Sequence, residues 1–421
     1  MSNHNVLRGK RVKRVAILLL TSATILGVSS CGSGNGTSST TPPSNVQHRA
    51  FITNTYSGNL QIVDTQNDTS PLTAETTNSA GQVVPGVPVT ISVAGSLSFE
   101  VLSPDKNTTL TYDPTTLTFY FLNNTSETTT ATVGLPTYTG MALFSPDSTT
   151  VYAPTPTVLV SGSRPGAVQV INIANQGITT SYAIPSARYI ALSPSGQFLL
   201  VFADNSDSLY LINLTASTVA PVAIPGFAAP VNAFFSSDSN TAYVLNCGPE
   251  CGSSGAASVS EFNIPTQTIQ ATVPVGGASV GLLTGTTLYV AGSPVPPGTT
   301  STFDAVNVSN MTRITANSVP IGDGYHSTMA LSTNNKLYIG ANTCSNTVHG
   351  CLSVVNVATN TADAPFPPNG AITSLLAITG RNVVYAIQGG YVNIYDTDTD
   401  TLQGTQLSFT GALYGIVQVD Q

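Results

Sequence analysis

The chain has 421 residues, of which 41% are hydrophobic and only 8% are charged, and its formal net charge is −8. This composition differs from that of a disordered chain, and its wealth of Thr, Ser, Asn and Gly favours short β-strands joined by polar turns. The 12 Lys and Arg residues are too few and too scattered for a nucleic-acid surface, so we expect no nucleic-acid partner.

Residues 1–30 have the order of an export signal. Residues 8–14 hold five Lys and Arg, residues 15–28 are apolar but short for a transmembrane span, and small residues precede Cys31. This order resembles the signal peptide and lipobox of a bacterial lipoprotein. The resemblance implies cleavage between Ser30 and Cys31 and acylation of the Cys31 thiol, for example with palmitate. An ordinary secretory signal that ends near a cysteine is the alternative.

Cleavage at this point changes the charge of the chain. A chain that begins at Cys31 keeps all 20 acidic residues but only seven basic ones, so its net charge is −13. Attachment to a membrane must then come from the acyl chains. Residues 31–47 are rich in Gly, Ser, Thr and Pro and are predicted to be a flexible tether. An Asp after the cysteine would favour retention in the inner membrane, but here Gly32 follows it. We therefore expect the protein in the outer membrane of a bacterial envelope, facing the periplasm or the outside.

A degenerate repeat fills residues 48–421. Ser-Pro-Asp-like turns precede strands that carry an aromatic or apolar residue, and the next strands end in Asp or Asn. The aromatic or apolar positions recur at intervals of 40–49 residues, at Tyr112, Tyr152, Leu200, Tyr243, Tyr289, Tyr338 and Tyr385. Four short strands in each unit of this length predict an all-β fold, a single β-propeller with four-stranded blades.

Two segments carry a family resemblance. Residues 50–54 followed by 60–65, and residues 337–339 followed by 354–360, resemble the YVTN-type β-propeller repeat. The resemblance implies a propeller, and some propellers of similar repeat type are lactonases.

The ends of the repeat predict how the ring closes. The repeat starts in an aromatic strand at Ala50 and ends in an inner strand near Ile416, so the last strand can join the first strands in one blade. Counting inner strands favours eight blades. Seven is the alternative, because the interval from Phe51 to Tyr112 is long. We expect a monomer.

Four cysteines remain after Cys31. Cys247, Cys251, Cys344 and Cys351 allow three pairings, of which local pairing within each loop is the simplest. An oxidising compartment would permit disulfides there. Zinc is the alternative, since His349 lies beside Cys351. However, the three histidines after Cys31 are scattered, so we expect neither a metal nor a cofactor. Residues 396–400 resemble a calcium loop but are predicted to be a structural turn.

The predicted propeller has one elaborated face. Long loops at residues 154–166, 247–257, 292–302 and 344–351 lie on the face where the inner strands begin. The loops entering the inner strands carry Tyr138, Tyr325, Tyr414 and the only grouping of a carboxylate with an imidazole, Asp323 and His326. With Arg188, these two are weak candidates for catalysis.

The sequence supports two functions. The first is a lipid-anchored, non-enzymatic binding module that holds a protein or polysaccharide through its loop-rich face. The alternative is a lactonase-like hydrolase at the top of the channel, using His326, Asp323 and Arg188.

Overall fold

The computed structural model describes residues 43–93, 95–160, 165–294, 301–344, 351–362 and 370–420. Cys31 and His349 lie outside these residues. Within them the chain forms short antiparallel β-strands and one short 3₁₀ helix, Gly248–Cys251. The described residues include no helix with the length and apolar character needed to cross a membrane.

The strands form eight blade sheets, here called blades 1 to 8 in the order of their inner strands, and one separate two-stranded sheet. The chain starts in blade 8 with β1 (Arg49–Asn54), β2 (Asn59–Asp64), the separate hairpin β3 (Thr76–Thr77) and β4 (Val83–Val84), and β5 (Thr90–Ser92). Blade 1 holds β6 (Phe99–Leu102), β7 (Thr108–Asp113), β8 (Thr118–Asn123) and β9 (Thr128–Gly134). Blade 2 holds β10 (Leu143–Phe144), β11 (Thr150–Thr155), β12 (Ala167–Asn172) and β13 (Gly177–Ala183).

The next three blades follow the same order. Blade 3 holds β14 (Ala187–Leu192), β15 (Phe198–Ala203), β16 (Ser208–Asn213) and β17 (Pro221–Pro225). Blade 4 holds β18 (Pro230–Phe235), β19 (Thr241–Asn246), β20 (Ser258–Asn263) and β21 (Thr268–Pro274). Blade 5 holds β22 (Val280–Thr284), β23 (Thr287–Gly292), β24 (Thr302–Asn307) and an interrupted outer strand, β25 (Thr312–Arg313) and β26 (Val319–Pro320).

The last two blades complete the ring. Blade 6 holds β27 (Tyr325–Leu331), β28 (Lys336–Thr343), β29 (Leu352–Asn356) and β30 (Thr361–Ala362). Blade 7 holds β31 (Ile372–Ala377), β32 (Val383–Gln388), β33 (Tyr391–Asp396) and β34 (Thr401–Leu407), and β35 (Leu413–Gln418) returns to blade 8.

The inner strands close into a ring around a central channel. Each inner strand contacts the inner strands of both neighbouring blades, and blade 8 contacts blade 1. The predicted count of eight blades is therefore confirmed. The long first interval is an insertion into blade 8, where residues 65–89 connect β2 to β5 and carry the β3–β4 hairpin.

Blade 8 joins the two ends of the repeat, as predicted. β35 pairs with β1 in antiparallel register, with Ala50 opposite Gln418 and Ile52 opposite Ile416. This pairing gives β1 a hydrogen-bonded neighbour on each side, β35 and β2, so β1 is not an open edge. Apolar side chains of blades 7 and 8, including Ile52, Tyr385 and Ile416, pack together in one buried cluster.

Turn chemistry explains why the degenerate repeat holds its shape. In all eight blades the Asp or Asn that ends the third strand accepts a backbone N–H of the following turn at 2.9–3.0 Å. Asp396 belongs to this set, since its Oδ1 accepts the N–H of Asp398, so the calcium-like segment is a turn. In these turns the short side chains accept backbone N–H groups that form no β-ladder hydrogen bonds.

Strand direction defines two faces of the ring. Inner strands begin on the face that we call upper, where each second strand ends and each third strand begins; the opposite face is the lower one. β1 is a second strand, so residues 43–48 enter from the lower face. Ser44 and Val46, at the end of the predicted tether, are buried, and Ser44 donates two hydrogen bonds to Glu127 at 2.8 and 2.6 Å.

Candidate binding site at the upper mouth of the channel

A cavity of about 610 Å³ opens at the upper mouth of the channel. We call it the upper cavity. The first residues of several inner strands and two upper loops form its wall, with these lining residues: Met141, Tyr189, Val231, Asn232, Glu250, Cys251, Ser279, Val280, Tyr325, His326, Ser327, Asn342 and Thr343. Its size is in the range of pockets that hold small molecules or parts of larger ligands.

A loop closed by a disulfide forms one wall of the upper cavity. Cys247 and Cys251 are joined, with their Cα atoms 5.6 Å apart, across the short 3₁₀ helix. Gly248 has φ +67°, and a Cβ there would lie 2.5 Å from the backbone nitrogen of Ala257, so the tight loop requires glycine. The helix places Glu250 against the cavity.

The carboxylate of Glu250 ties this loop to the next blade. Its Oε2 accepts the backbone N–H of Ser293 at 2.7 Å. Burial raises the pKa of Glu250, while the hydrogen bonds from Ser293 and Ser279 oppose that rise. The cavity wall is thus held by one covalent and one hydrogen-bonded link.

The second disulfide lies on the same face. Cys344 and Cys351 are joined with their Cα atoms 5.5 Å apart, between the end of β28 and the start of β29. Local pairing within each loop is therefore confirmed. Asn342 and Thr343, just before this disulfide, contribute to the cavity wall.

His326 lies in the wall of the upper cavity and is only 5% exposed. Its Nδ1 is buried and has no hydrogen-bond partner in the structure. Burial lowers the pKa of His326 to about 4, and the backbone of Gly322 and the charge of Asp323 oppose this shift. The imidazole is therefore neutral at neutral pH.

The three weak catalytic candidates divide between two neighbouring sites. Asp323 lies near enough to His326 to act on its charge. Arg188 instead forms an ion pair with Asp204, whose Oδ2 lies 3.0 Å from its Nε, and lines an adjoining cavity of about 280 Å³. Arg188 already has an anionic partner, and His326 has lost most of its basicity, so the trio does not form an acid–base set.

Exposed tyrosines lie in the cavity wall and near it. Tyr138, Tyr189, Tyr325 and Tyr414 are 44–45% exposed. Tyr189 lines both cavities, and Tyr414 lies close enough to Tyr138 and Tyr189 to interact with both electrostatically. Burial raises the pKa values of Tyr189 and Tyr414, which keeps both phenols neutral.

Sequence reasoning found part of this site. It named Tyr138, Tyr325, Tyr414 and His326, because loops that enter inner strands approach the channel. It missed Tyr189, Asn232 and Glu250. Tyr189 follows Arg188 inside an inner strand, and Glu250 stands between two cysteines that drew attention as a structural pair. The period of the inner strands was the signal that could have located Tyr189 and Asn232.

A buried carboxyl between blades 1 and 8 was also missed. Glu100 lies on β6, and both of its carboxyl oxygens are buried without a hydrogen-bond partner. Burial raises the pKa of Glu100 to about 8, although the Thr53 hydroxyl opposes the shift. No sequence pattern marked this residue, since its burial depends on the closing strand.

Metal ligands do not cluster in the described part of the chain. No group of three or more His, Cys, Asp or Glu side chains there could hold a metal ion. All four cysteines after Cys31 are engaged in disulfides, so the thiolates that the zinc alternative requires are oxidised.

Comparison with known proteins supports the fold. No family model and no curated protein matches the chain. Among solved structures, dihydro-heme d1 dehydrogenase NirN in complex with DHE is similar with a TM-score of 0.64 and 11% identity, over 88% of this chain and 75% of that chain.

Two further structures are similar over most of their own length. A functionally unknown protein from Desulfotomaculum acetoxidans gives a TM-score of 0.52 at 16% identity, over 75% of this chain and 94% of that one. The β-propeller domain of Cps50 (Swd1) from Myceliophteria thermophila gives 0.52 at 9% identity, over 72% and 98%. At these identities the likeness concerns fold alone, and the chain is an eight-bladed β-propeller with a cavity at its upper mouth.

Proposed function

We propose that this chain is a lipid-anchored, extracytoplasmic β-propeller of the YVTN type that binds a partner through its upper face. The observation that carries the binding role is the upper cavity, which has exposed tyrosines in and near its wall and is stiffened by the Cys247–Cys251 disulfide. Half-exposed tyrosines on a rigid frame offer contact area at a low cost in conformational entropy. The two disulfides also support an oxidising compartment.

The anchor fits the same proposal. Cys31 lies 12 residues before residue 43, where the described chain enters from the lower face. A lipid at Cys31 would therefore join the propeller through the end of the chain that enters from the lower face. Fractionation of the envelope followed by mass spectrometry of the mature N-terminus tests the anchor. We expect acylated Cys31 in the outer-membrane fraction; an unmodified N-terminus at another position would contradict it.

Photo-crosslinking in intact cells tests the binding face. A photo-reactive amino acid replaces Tyr138 or Tyr325 on the upper face, and in a matched control it replaces the exposed Ile178 on the outer strand β13. We expect adducts from Tyr138 and Tyr325 and none from Ile178. No adduct from either upper position, or equal adducts from Ile178, would overturn the proposed function.

Hydrolysis is the weaker proposal. A general base works best when its pKa lies near the working pH, and burial lowers the pKa of His326 to about 4. The guanidinium of Arg188 is bound by Asp204 in the adjoining cavity.

A further inference from the structure

The exposed tyrosines are confined to one face of the molecule. The chain has 16 tyrosines, and the six with exposed side chains all lie on the upper face: Tyr56, Tyr138, Tyr189, Tyr325, Tyr391 and Tyr414. The other ten are buried or half-buried. Burying such a ring would stabilise the fold by on the order of 2 kcal/mol, so a set left exposed on one face indicates a surface shaped for a ligand.

Four of these tyrosines lie at or near the two cavities. Tyr189 and Tyr325 line them, and Tyr138 and Tyr414 lie close to Tyr189. Tyr138 leans against the buried Tyr112 in an edge-to-face contact with ring centroids 6.2 Å apart, which fixes its orientation. Tyr189 lies where the two cavities meet, and Tyr325 lies in the wall of the larger one. A ligand across this surface would meet several separate rings.

Between the rings the wall is polar but carries little charge. Asn232, Ser279, Asn342 and Thr343 line the upper cavity, together with His326, which is only 5% exposed. No lysine or arginine is among the described residues that line it. Glu250, the one carboxylate among the described residues of the wall, accepts the N–H of Ser293. Amide and hydroxyl groups of this kind pair with hydroxyl groups.

This combination selects a class of ligand. Sugar rings have C–H faces that stack on aromatic rings and hydroxyl edges that pair with neutral polar groups. The absence of cationic side chains from the described wall, with the net charge of −13 after Cys31, disfavours polyanions. We propose that the upper cavity binds a neutral polysaccharide, with sugar rings stacked on Tyr189 and Tyr325 and hydroxyls bonded to Asn232 and Asn342. This inference rests on the proposed function of the upper face.

Affinity electrophoresis of the mature chain tests the inference. Native gels contain a neutral polysaccharide (xyloglucan, galactomannan, dextran or hydroxyethyl cellulose) or a polyanion (alginate or polygalacturonate). We expect retardation by at least one neutral polymer and by neither polyanion. Tyr189→Ala and Tyr325→Ala each weaken binding about tenfold, because removing a stacking ring costs about 1.4 kcal/mol. Tyr189→Phe, which keeps the ring, stays within about threefold, and Leu402→Ala on an outer strand has no effect.

The outcomes separate this inference from the function on which it rests. Protein adducts at Tyr325 in cells, with no retardation by any neutral polymer, would overturn the polysaccharide inference and leave the binding face intact. Retardation that survives both Tyr→Ala changes would overturn the assignment to the upper cavity. Equal retardation by alginate would overturn the preference for a neutral ligand.

Discussion

At the scale of single residues, Glu100 is the group whose state depends most on the closed ring. Its carboxyl faces Gly415 on β35, where an added Cβ would lie 2.7 Å from Oε1 and 2.8 Å from Cδ, so only glycine leaves room for it. The N–H of Gly415 is donated to Thr53 Oγ1 at 2.8 Å. The carboxyl therefore has no backbone donor, and its neutral form is the one that the fold favours.

The folded state holds the Glu100 proton up to a pKa of about 8, well above the ordinary value of 4.5. Its contribution to stability is fully present below about pH 4.5 and is lost as the pH rises towards 8. We expect Glu100→Gln to remove this loss and to be more stable than the wild type at pH 9 by up to about 5 kcal/mol. Urea unfolding between pH 4 and 9 measures the effect.

The exposed Glu75 in the insertion of blade 8 supplies the matched control, and Glu75→Gln should leave the profile unchanged. The neutral His326 acts in the opposite direction, since its stabilising effect is lost as the pH falls from 6.5 towards 4. The difference between wild type and Glu100→Gln isolates the carboxyl. If the difference in the free energy of unfolding between wild type and Glu100→Gln did not change with pH, Glu100 would already be ionised in the folded state.

At the scale of elements, the disulfide-closed loop of residues 247–252 forms part of the wall of the upper cavity. A 3₁₀ turn, a disulfide and a glycine at φ +67° hold Glu250 against the upper cavity. Because Glu250 bonds to Ser293 of blade 5, a change in this loop also reaches the neighbouring blade.

Removing the disulfide with Cys247→Ser and Cys251→Ser should lower the free energy of unfolding by about 2 kcal/mol, given the short loop that it closes. It should also loosen the Glu250–Ser293 link, so that hydrogen exchange at residues 290–294 speeds up. The control is Cys344→Ser with Cys351→Ser, which cuts a disulfide in blade 6 and should leave exchange at residues 290–294 unchanged. Equal exchange in both variants would contradict a link between this disulfide and Glu250.

Most of the strands could be predicted from sequence, and the reason lies in the turns. The Asp or Asn that ends each third strand accepts a hydrogen bond from the turn two or three residues later. Such a turn can be predicted from adjacent residues alone. The surroundings of Glu100 and His326 could not be predicted in this way. Their burial comes from neighbouring blades and from β35, which is more than 300 residues from Glu100 in sequence but adjacent in space.

At the scale of the whole molecule, Arg49 fastens the closed ring. Its Nε lies 2.6 Å from Asp420 and its Nη1 lies 2.7 Å from Glu127, and it also donates to the carbonyl of Asn124. Burial alone would lower the pKa of Arg49, but the hydrogen bonds to Asp420 and Glu127 outweigh it. One side chain thus connects β1, blade 1 and the segment after β35.

Arg49→Ala should lower the free energy of unfolding by about 3–5 kcal/mol, because it leaves the 5%-exposed Glu127 side chain without its cationic partner. Denaturant unfolding at neutral pH measures this. Arg188→Ala is the control: its ion pair with Asp204 is more than a third exposed, so screening by solvent limits the loss to under about 1 kcal/mol. Equal losses in the two variants would show that Arg49 does not fasten the ring.

The pairing of β1 with β35 also governs when folding can finish. Ala50 and Gln418 are partners, so blade 8 is incomplete until the last strand has been made, whatever the earlier blades have done. Contacts between residues so far apart in sequence make folding slow. Until β35 has been made, β1 can pair with β2 alone and the ring stays open. The closing strand thus sets the earliest point at which the closed ring can form, whatever the order in which the other seven blades fold.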